Sequence, residues 1–271
     1  MWINRATSVP EWHFDSLTDM RAFITPVGEK VWSIYAGHWS TASSVNDALR
    51  QALSSSKYST RIEALTGRMV GLVSASIRDV EYGLDVTGLD FDMGLLMSGA
   101  PECWITRQPS REPKIVRMLL HMNSSSMVST QSIEARGVAI AALVRILELS
   151  GVATEITIYG ESDKRDPVTY DGGMRYFLRL KDSGEYFDLE KFSWAICSPA
   201  MSRCLGFGVV FENVKKNHSI GWTAERYNAT GYDIHFDRMF GPDPEFASEG
   251  STREWIVKKC REFGVDIRDE A

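Results

Sequence analysis

The distribution of apolar residues changes at a polar stretch, Gln-Pro-Ser-Arg-Glu-Pro, at positions 108–113. Immediately after it, residues 114–122 carry apolar side chains at both odd and even positions. A strand buried on one face alternates apolar and polar residues, whereas a strand covered on both faces does not. The segment 114–122 is therefore predicted to be an interior strand of a sheet.

A strand–helix–strand unit is predicted to start with this strand. A polar loop follows it, and residues 132–149 have the spacing of a largely apolar helix. Gly151 is well placed for the positive φ of a helix end. Residues 152–159 are rich in β-branched side chains and form the next predicted strand. The short connections favour parallel pairing with a right-handed crossover.

The remaining pattern is less regular but still mixed. Apolar runs predict further strands at 174–180, 205–211 and 232–240, and helices at 189–195 and 251–263. Before the polar stretch, the pattern favours a strand at 29–36, a helix at 45–53, an amphipathic stretch at 61–73 and an extended segment at 102–106. The chain is therefore divided into an N-terminal α+β extension, 1–112, and an α/β domain, 113–271.

Composition and charge narrow the class of protein. The chain has 271 residues, 44% of them hydrophobic, and a net charge of −6, so a broad electrostatic nucleic-acid surface is disfavoured. Its four cysteines are scattered without metal-site spacing, which favours reduced core residues. The sequence has neither a signal-peptide h-region nor a membrane-length apolar run. We therefore expect no membrane association and a cytoplasmic location.

Familiar catalytic and cofactor motifs are missing from the chain. No glycine-rich nucleotide cradle follows the first buried strand, and no Gly-x-Ser-x-Gly elbow is present. The histidines are never spaced four apart, and His121 is interpreted as a core residue rather than an acid–base group. We expect a non-enzymatic protein without a cofactor.

The segment 119–160 resembles the opening unit of a von Willebrand factor A-type (vWA) domain. Met-Asn-Ser-Ser-Ser at 122–126 stands where such domains have Asp-x-Ser-x-Ser, and Ser-Gly-Val at 150–152 leads into the second strand. The resemblance implies a Rossmann-type, mostly parallel sheet with helices on both faces. It is similar to the vWA subunits that partner AAA+ ATPases, which implies a protein partner of that class. The whole chain, including 91–103, also resembles a family of tailed-phage and prophage proteins with vWA-like centres, which implies the host cytoplasm.

One substitution separates this chain from the family pattern. A vWA metal site needs the first Asp, because a hard divalent cation requires anionic oxygen, and here that position is Met122. We therefore expect no bound metal. The resemblance leaves a degenerate site that is interpreted as a protein-interaction site. It consists of the loop residues Asn123, Ser124, Ser125 and Ser126 together with Glu212, which directly follows the predicted strand at 205–211 and stands roughly where the family has a fourth-strand acid. The alternative is that these short polar side chains only satisfy the loop backbone.

A second hypothesis is a single-stranded nucleic-acid-binding accessory factor in phage transcription or replication. Aromatic side chains near basic residues can stack on unpaired bases. The best candidate for such a patch consists of Lys215, Lys216, Trp222 and Arg226. Core packing is the alternative explanation for most of the tryptophans.

Overall fold

The fold was obtained as a computed structural model, which describes residues 1–4, 10–24, 42–53, 63–64, 66–68, 70–71, 82–85, 90–107, 114–125, 128–161, 174–213, 229–237, 239 and 241–265. In chain order the strands are β1 (Trp2–Asn4), β2 (Glu11–Phe14), β3 (Tyr82–Asp85), β4 (Asp90–Phe91), β5 (Trp104–Arg107), β6 (Ile115–His121), β7 (Ala153–Glu161), β8 (Arg175–Lys181) and β9 (Ile234–Phe236). The α-helices are α1 (Leu17–Phe23), α2 (Val45–Leu53), α3 (Met93–Met97), α4 (Thr130–Leu149), α5 (Leu189–Cys197), α6 (Phe207–Asn213) and α7 (Glu249–Glu262).

The central sheet has the strand order β1-β2-β8-β7-β6-β9. The pairs β2/β8, β7/β6 and β6/β9 are parallel, whereas β1/β2 and β8/β7 are antiparallel. The predicted α/β class with a mostly parallel sheet is confirmed. Because β6 has a hydrogen-bonded neighbour on each side, the predicted interior strand is confirmed too.

The two faces of the sheet differ in what they pack against. Val116, Met118 and Leu120 of β6 belong to the large core that also contains the helical side chains. Leu119 faces the other way, into a smaller cluster with Tyr159 and Phe177. Within the described residues, helical side chains join only the first of these clusters, so helices on both faces are not shown.

Helix α4 lies between the strands of the predicted strand–helix–strand unit. Its N-cap, Ser129, accepts a hydrogen bond from the backbone of Ser132 at 3.1 Å, and the helix ends before Gly151 with φ of 81°. Almost its whole circumference is buried, as the apolar sequence predicted. None of the helices within the described residues is long and apolar enough to cross a membrane.

The N-terminal part contributes directly to the main fold. Strand β2 pairs with β8, and α2, predicted at the same bounds, buries Val45 and Ala48 completely in the main core. The extended segment predicted at 102–106 corresponds to β5, which pairs with β3 and β4 in a separate sheet. The described residues of the stretch 61–73 are helical, and the predicted strand at 29–36 lies outside the described residues.

The predicted strand at 205–211 is wrong. This part of the chain is a π-helix, Met201–Gly206, that continues into α6. Packing explains the difference: a Cβ at Gly206 would collide with the Tyr176 hydroxyl, and one at Gly208 would lie 2.8 Å from the Ile24 side chain. The glycines therefore permit close packing of a helix, where the β-branched neighbours had suggested a strand. The strand beside β6 is instead β9, which is shorter than the predicted 232–240.

Close packing of α4 on α5 depends on Gly137. A Cβ at this position would collide with Cys197 Sγ and lie 2.9 Å from the carbonyl oxygen of Ile196. We expect Gly137→Ala to lower the free energy of unfolding by about 1–3 kcal/mol, because overpacking outweighs the gain in helix propensity. Chemical denaturation measures this.

The matched control is Gly250→Ala, at an α7 position where the nearest neighbour of a new Cβ would be 3.9 Å away. It should be neutral or slightly stabilising. Equal destabilisation of the two variants would contradict the packing argument.

Candidate functional site

The loop after β6 lies at the carboxyl edge of the parallel strands, where open α/β sheets bind ligands. Asn123 is 7% exposed, and Ser124 and Ser125 are half-buried. Ser124 forms a parallel bridge with Met239, and the Ser125 N–H donates to the Met239 carbonyl oxygen at 2.8 Å. The loop is thus tied to the chain beyond β9 by backbone hydrogen bonds.

A buried guanidinium holds the same loop from the helical side. Arg203, 6% exposed, donates from one terminal nitrogen to the carbonyl oxygens of Ser125 and Val128, each at 3.1 Å. Burial lowers the pKa of this guanidinium. The side chain of Met122 packs against the main core. The loop backbone is therefore anchored by a protein cation.

The structure separates Glu212 from the position assigned to it. That assignment needed a strand ending at residue 211, and Glu212 lies in helix α6 instead. The acid that directly follows the strand next to β6 is Asp237. Among the described residues, no three His, Cys, Asp or Glu side chains come together in a group that could hold a metal ion.

Several predicted site residues cannot be placed. Ser126 and the proposed basic–aromatic patch lie outside the described residues, the members of that patch being Lys215, Lys216, Trp222 and Arg226. The described part of the predicted interaction loop is therefore Asn123, Ser124 and Ser125.

An aromatic row crosses the sheet beside this loop, on the face opposite the main helical core. His121, Tyr159, Phe177 and His13 occupy paired positions on β6, β7, β8 and β2. Successive ring centroids are 4.3, 5.8 and 4.7 Å apart. Aromatic contacts at such separations stabilise cross-strand pairs.

A charged row lies next to the aromatic row. Glu161, Arg175 and Glu11 are paired across β7, β8 and β2. Arg175 Nε is 3.2 Å from Glu161 Oε2, and a terminal nitrogen of Arg175 is 3.7 Å from Glu11 Oε1. Each carboxylate side chain is less than a tenth exposed. Buried carboxylates are tolerated here because a guanidinium lies between them.

Hydrogen bonds to His121 connect this row to the loop. The Asn123 N–H donates to His121 Nδ1 at 3.1 Å, so Nε2 carries the proton in the neutral ring, and it lies 3.5 Å from Glu161 Oε1. The Asn123 side-chain amide donates to the Glu161 carbonyl oxygen at 2.7 Å. Burial raises the pKa of Glu161, but His121 and Arg175 outweigh burial, and the net pKa is lowered. Glu161 is therefore a stable anion at neutral pH.

His235 provides a second imidazole at the edge of the sheet where the loop after β6 lies. His235 Nε2 is 2.9 Å from the Tyr159 hydroxyl, and His235 Nδ1 is 3.9 Å from Asp237 Oδ1. Burial lowers the pKa of His13 at the other end of the aromatic row, although Glu11 and Asp15 oppose this. The edge thus combines a fixed loop with rows of titratable side chains.

The sequence interpretation missed both rows. His121 was correctly interpreted as buried, but its partners come from strands that are distant in the chain. One signal was present: Glu11/His13, Tyr159/Glu161 and Arg175/Phe177 each place polar and aromatic residues two apart in a strand, and hence on one face. Only the strand order brings these pairs together.

Arg203→Met tests the guanidinium anchor. Loss of two charge-assisted hydrogen bonds leaves buried carbonyl oxygens without this donor, so we expect the free energy of unfolding to fall by about 2–4 kcal/mol. Amide hydrogen exchange should accelerate in the loop after β6 more than in β7. Arg145→Met, at a half-buried position on α4, is the control. Uniform acceleration across the sheet would contradict a local anchor.

Glu161→Gln tests the charged row. Because the folded-state pKa of Glu161 is lowered, its stabilisation is fully present above the ordinary value of 4.5 and is lost as pH falls through the folded pKa. We expect the variant to be about 2–4 kcal/mol less stable than the native chain at pH 7. The difference should shrink below about pH 4.5.

The control for this measurement is Glu155→Gln on the same strand. Glu155 pairs with Arg117 at 2.9 Å, but both side chains are substantially exposed. It should change stability by less than about 1 kcal/mol. A Glu161→Gln effect that is small, or independent of pH down to 3, would contradict the assigned ionisation.

Comparison with known proteins identifies a family. The chain matches the model of a domain of unknown function, DUF7192, over residues 5–264. No curated protein and no solved structure matches the chain. Since the family match spans nearly all of the 271 residues, the chain belongs to the DUF7192 family.

Proposed function

We propose that this chain is a metal-independent protein-interaction module of the vWA-like kind, which binds a partner through the loop after β6. The observation that carries the proposal is the Arg203 anchor, because a protein cation donates to two carbonyl oxygens of the loop. The loop follows an interior strand and precedes a long buried helix, as the resemblance implies. A contact surface needs a defined backbone, and here the protein supplies it.

Preorganisation is the physical reason why such a loop suits binding. Backbone N–H groups of Met122, Asn123 and Ser125 already donate within the protein, at 2.8, 3.1 and 2.8 Å. A partner that contacts a fixed loop does not incur the entropy cost of ordering it. Ser125 is half-buried and offers surface to a partner. Ser124 is half-buried as well, but its hydroxyl is buried, so it offers its remaining atoms only.

The soft side chain at the start of the loop supports metal independence. Met122 packs against the apolar core and offers a thioether where a cation site of this type requires a carboxylate. The partner class that the resemblance implies is an AAA+ ATPase, in a phage-type setting. This part of the proposal rests on fold-level analogy.

Affinity capture with a serine-to-arginine pair tests the proposal. Ser125→Arg adds bulk and charge at the loop, whereas Ser183→Arg makes the same change in the turn after β8, at the opposite edge of the sheet. We expect the native chain and Ser183→Arg to retain an AAA+ ATPase co-expressed with them. The amount of ATPase captured by Ser125→Arg should fall by about tenfold or more. Quantitative mass spectrometry measures the captured amounts.

Chelation with EDTA tests the metal independence of binding separately from the role of the loop. Capture by the native chain should be unchanged in EDTA, since no cation bridges the contact. Loss of capture in EDTA would overturn metal independence. Equal capture by both arginine variants, with native-like circular dichroism, would overturn the loop as the contact surface.

A further inference from the structure

A small cavity of about 20 Å³ lies behind the loop, between the end of β6, helix α4 and the π-helix. Much of its wall is apolar and includes Ile133, Ile140 and Ile196. Polar side chains also line it, among them Ser124, Ser202 and Arg136. A dry cavity would be apolar throughout, so the polar groups call for an occupant.

Two hydroxyls in this wall have no hydrogen-bond partner within the part of the chain that the structure describes. Ser202 is 4% exposed, and its Oγ is buried with no partner. The Oγ of Ser124 is buried and unpartnered as well. Buried hydroxyls are nearly always satisfied by protein or by an ordered ligand, because desolvation without a partner is unfavourable. The two hydroxyls belong to different elements and line one cavity.

The charge at the cavity comes from Arg136. This residue is 6% exposed, and its guanidinium lies 5.2 Å from the Phe236 ring centroid. Asp243 Oδ2 is 3.7 Å from Arg136 Nε, which is beyond hydrogen-bond distance. Burial lowers the pKa of Arg136, while the carboxylates of Asp243 and Asp237 oppose this. Among the described residues no carboxylate lies at hydrogen-bond distance from this guanidinium, so its N–H groups can donate to an additional anion.

We infer that this cavity binds a single anion of chloride size, held by Arg136 and by the hydroxyls of Ser124 and Ser202. Size selects the ligand class, because about 10–15 Å³ accommodates one water-sized group and the cavity offers little more. A monatomic anion matches this small volume better than a tetrahedral phosphate does. A cation would meet Arg136 and the nearby buried Arg203. The inference concerns an internal ligand and does not depend on the proposed partner.

Thermal unfolding of the full chain tests the site. Sodium chloride is titrated against sodium gluconate at constant ionic strength, with the Tm as readout. We expect the Tm to rise by about 3–5 °C and then saturate, as chloride reaches roughly ten times its Kd. General salt effects on stability do not saturate in this way.

Substitutions of residues that line the cavity distinguish a bound anion from a bound water molecule. Ser202→Ala should abolish the chloride dependence without lowering the Tm in gluconate, because it removes a hydroxyl that is unpartnered when no anion is bound. If a water fills the cavity, the same variant should lose stability equally in both salts. Arg136→Met should also lose the chloride dependence, and Arg145→Met on the same helix should keep it.

Bromide gives a direct measurement that does not rely on variants. Crystals grown in sodium bromide should show an anomalous peak within hydrogen-bond distance of Ser202 Oγ and of an Arg136 nitrogen. Absence of this peak, or identical Tm values of the native chain in chloride and gluconate, would overturn the inference and leave a water-filled cavity.

Discussion

Parallel pairing of β6 on both sides is the constraint on which the rest of the molecule depends. Its backbone hydrogen bonds are made to β7 and β9, so its side chains must be covered on two faces. One face meets the long helix α4, and the other carries Leu119 and His121 into a different environment. The position of the loop after β6 is fixed by both neighbouring strands. It is therefore hydrogen-bonded to Glu161 at the end of β7 and to Met239 beyond β9.

The anchoring of this loop shows how a protein cation can organise a strand end. Arg203 supplies hydrogen-bond donors to two carbonyl oxygens from a π-helix, a form that often occurs at functional sites. The π-helix itself packs closely because Gly206 lies against Tyr176. A side chain at Gly206 would push away the element that carries Arg203. The loop geometry therefore depends on a glycine far from the loop in the chain.

The strand–helix–strand unit could be predicted because its signals are local. Apolar side chains on both faces of 114–122, the spacing within α4 and the glycine at 151 each follow from short-range physics. The strand prediction at 205–211 was wrong because β-branched residues favour strands unless tertiary packing selects a helix. That selection depends on Tyr176 and Ile24, which no local pattern connects with this segment. The assignment of Glu212 failed with it.

The contacts of the candidate site could not be predicted from local sequence patterns either. Glu11, Glu161 and Arg175 look like ordinary polar positions in separate strands, and their proximity appears only when β2, β8 and β7 are placed side by side. Ser124 and Ser125 could be located from the sequence, because they follow the strand directly. Their anchor, Arg203, could not be, since its partners are carbonyl oxygens that carry no sequence signal.

The charged row also has a structural consequence for the register of the sheet. A slip of β8 by one residue against β7 would turn Arg175 to the opposite face and leave Glu161 buried without its guanidinium. Paired buried charges are weak stabilisers, but an unpaired one is strongly unfavourable, so the row discriminates against slipped registers. Glu161 also accepts a hydrogen bond from Asn123 through its carbonyl oxygen and faces His121. The β7/β8 register that pairs Glu161 with Arg175 therefore also holds Glu161 where Asn123 of the loop can donate to it. In this way two strands that contribute no side chain to the loop help to fix the geometry of the candidate site.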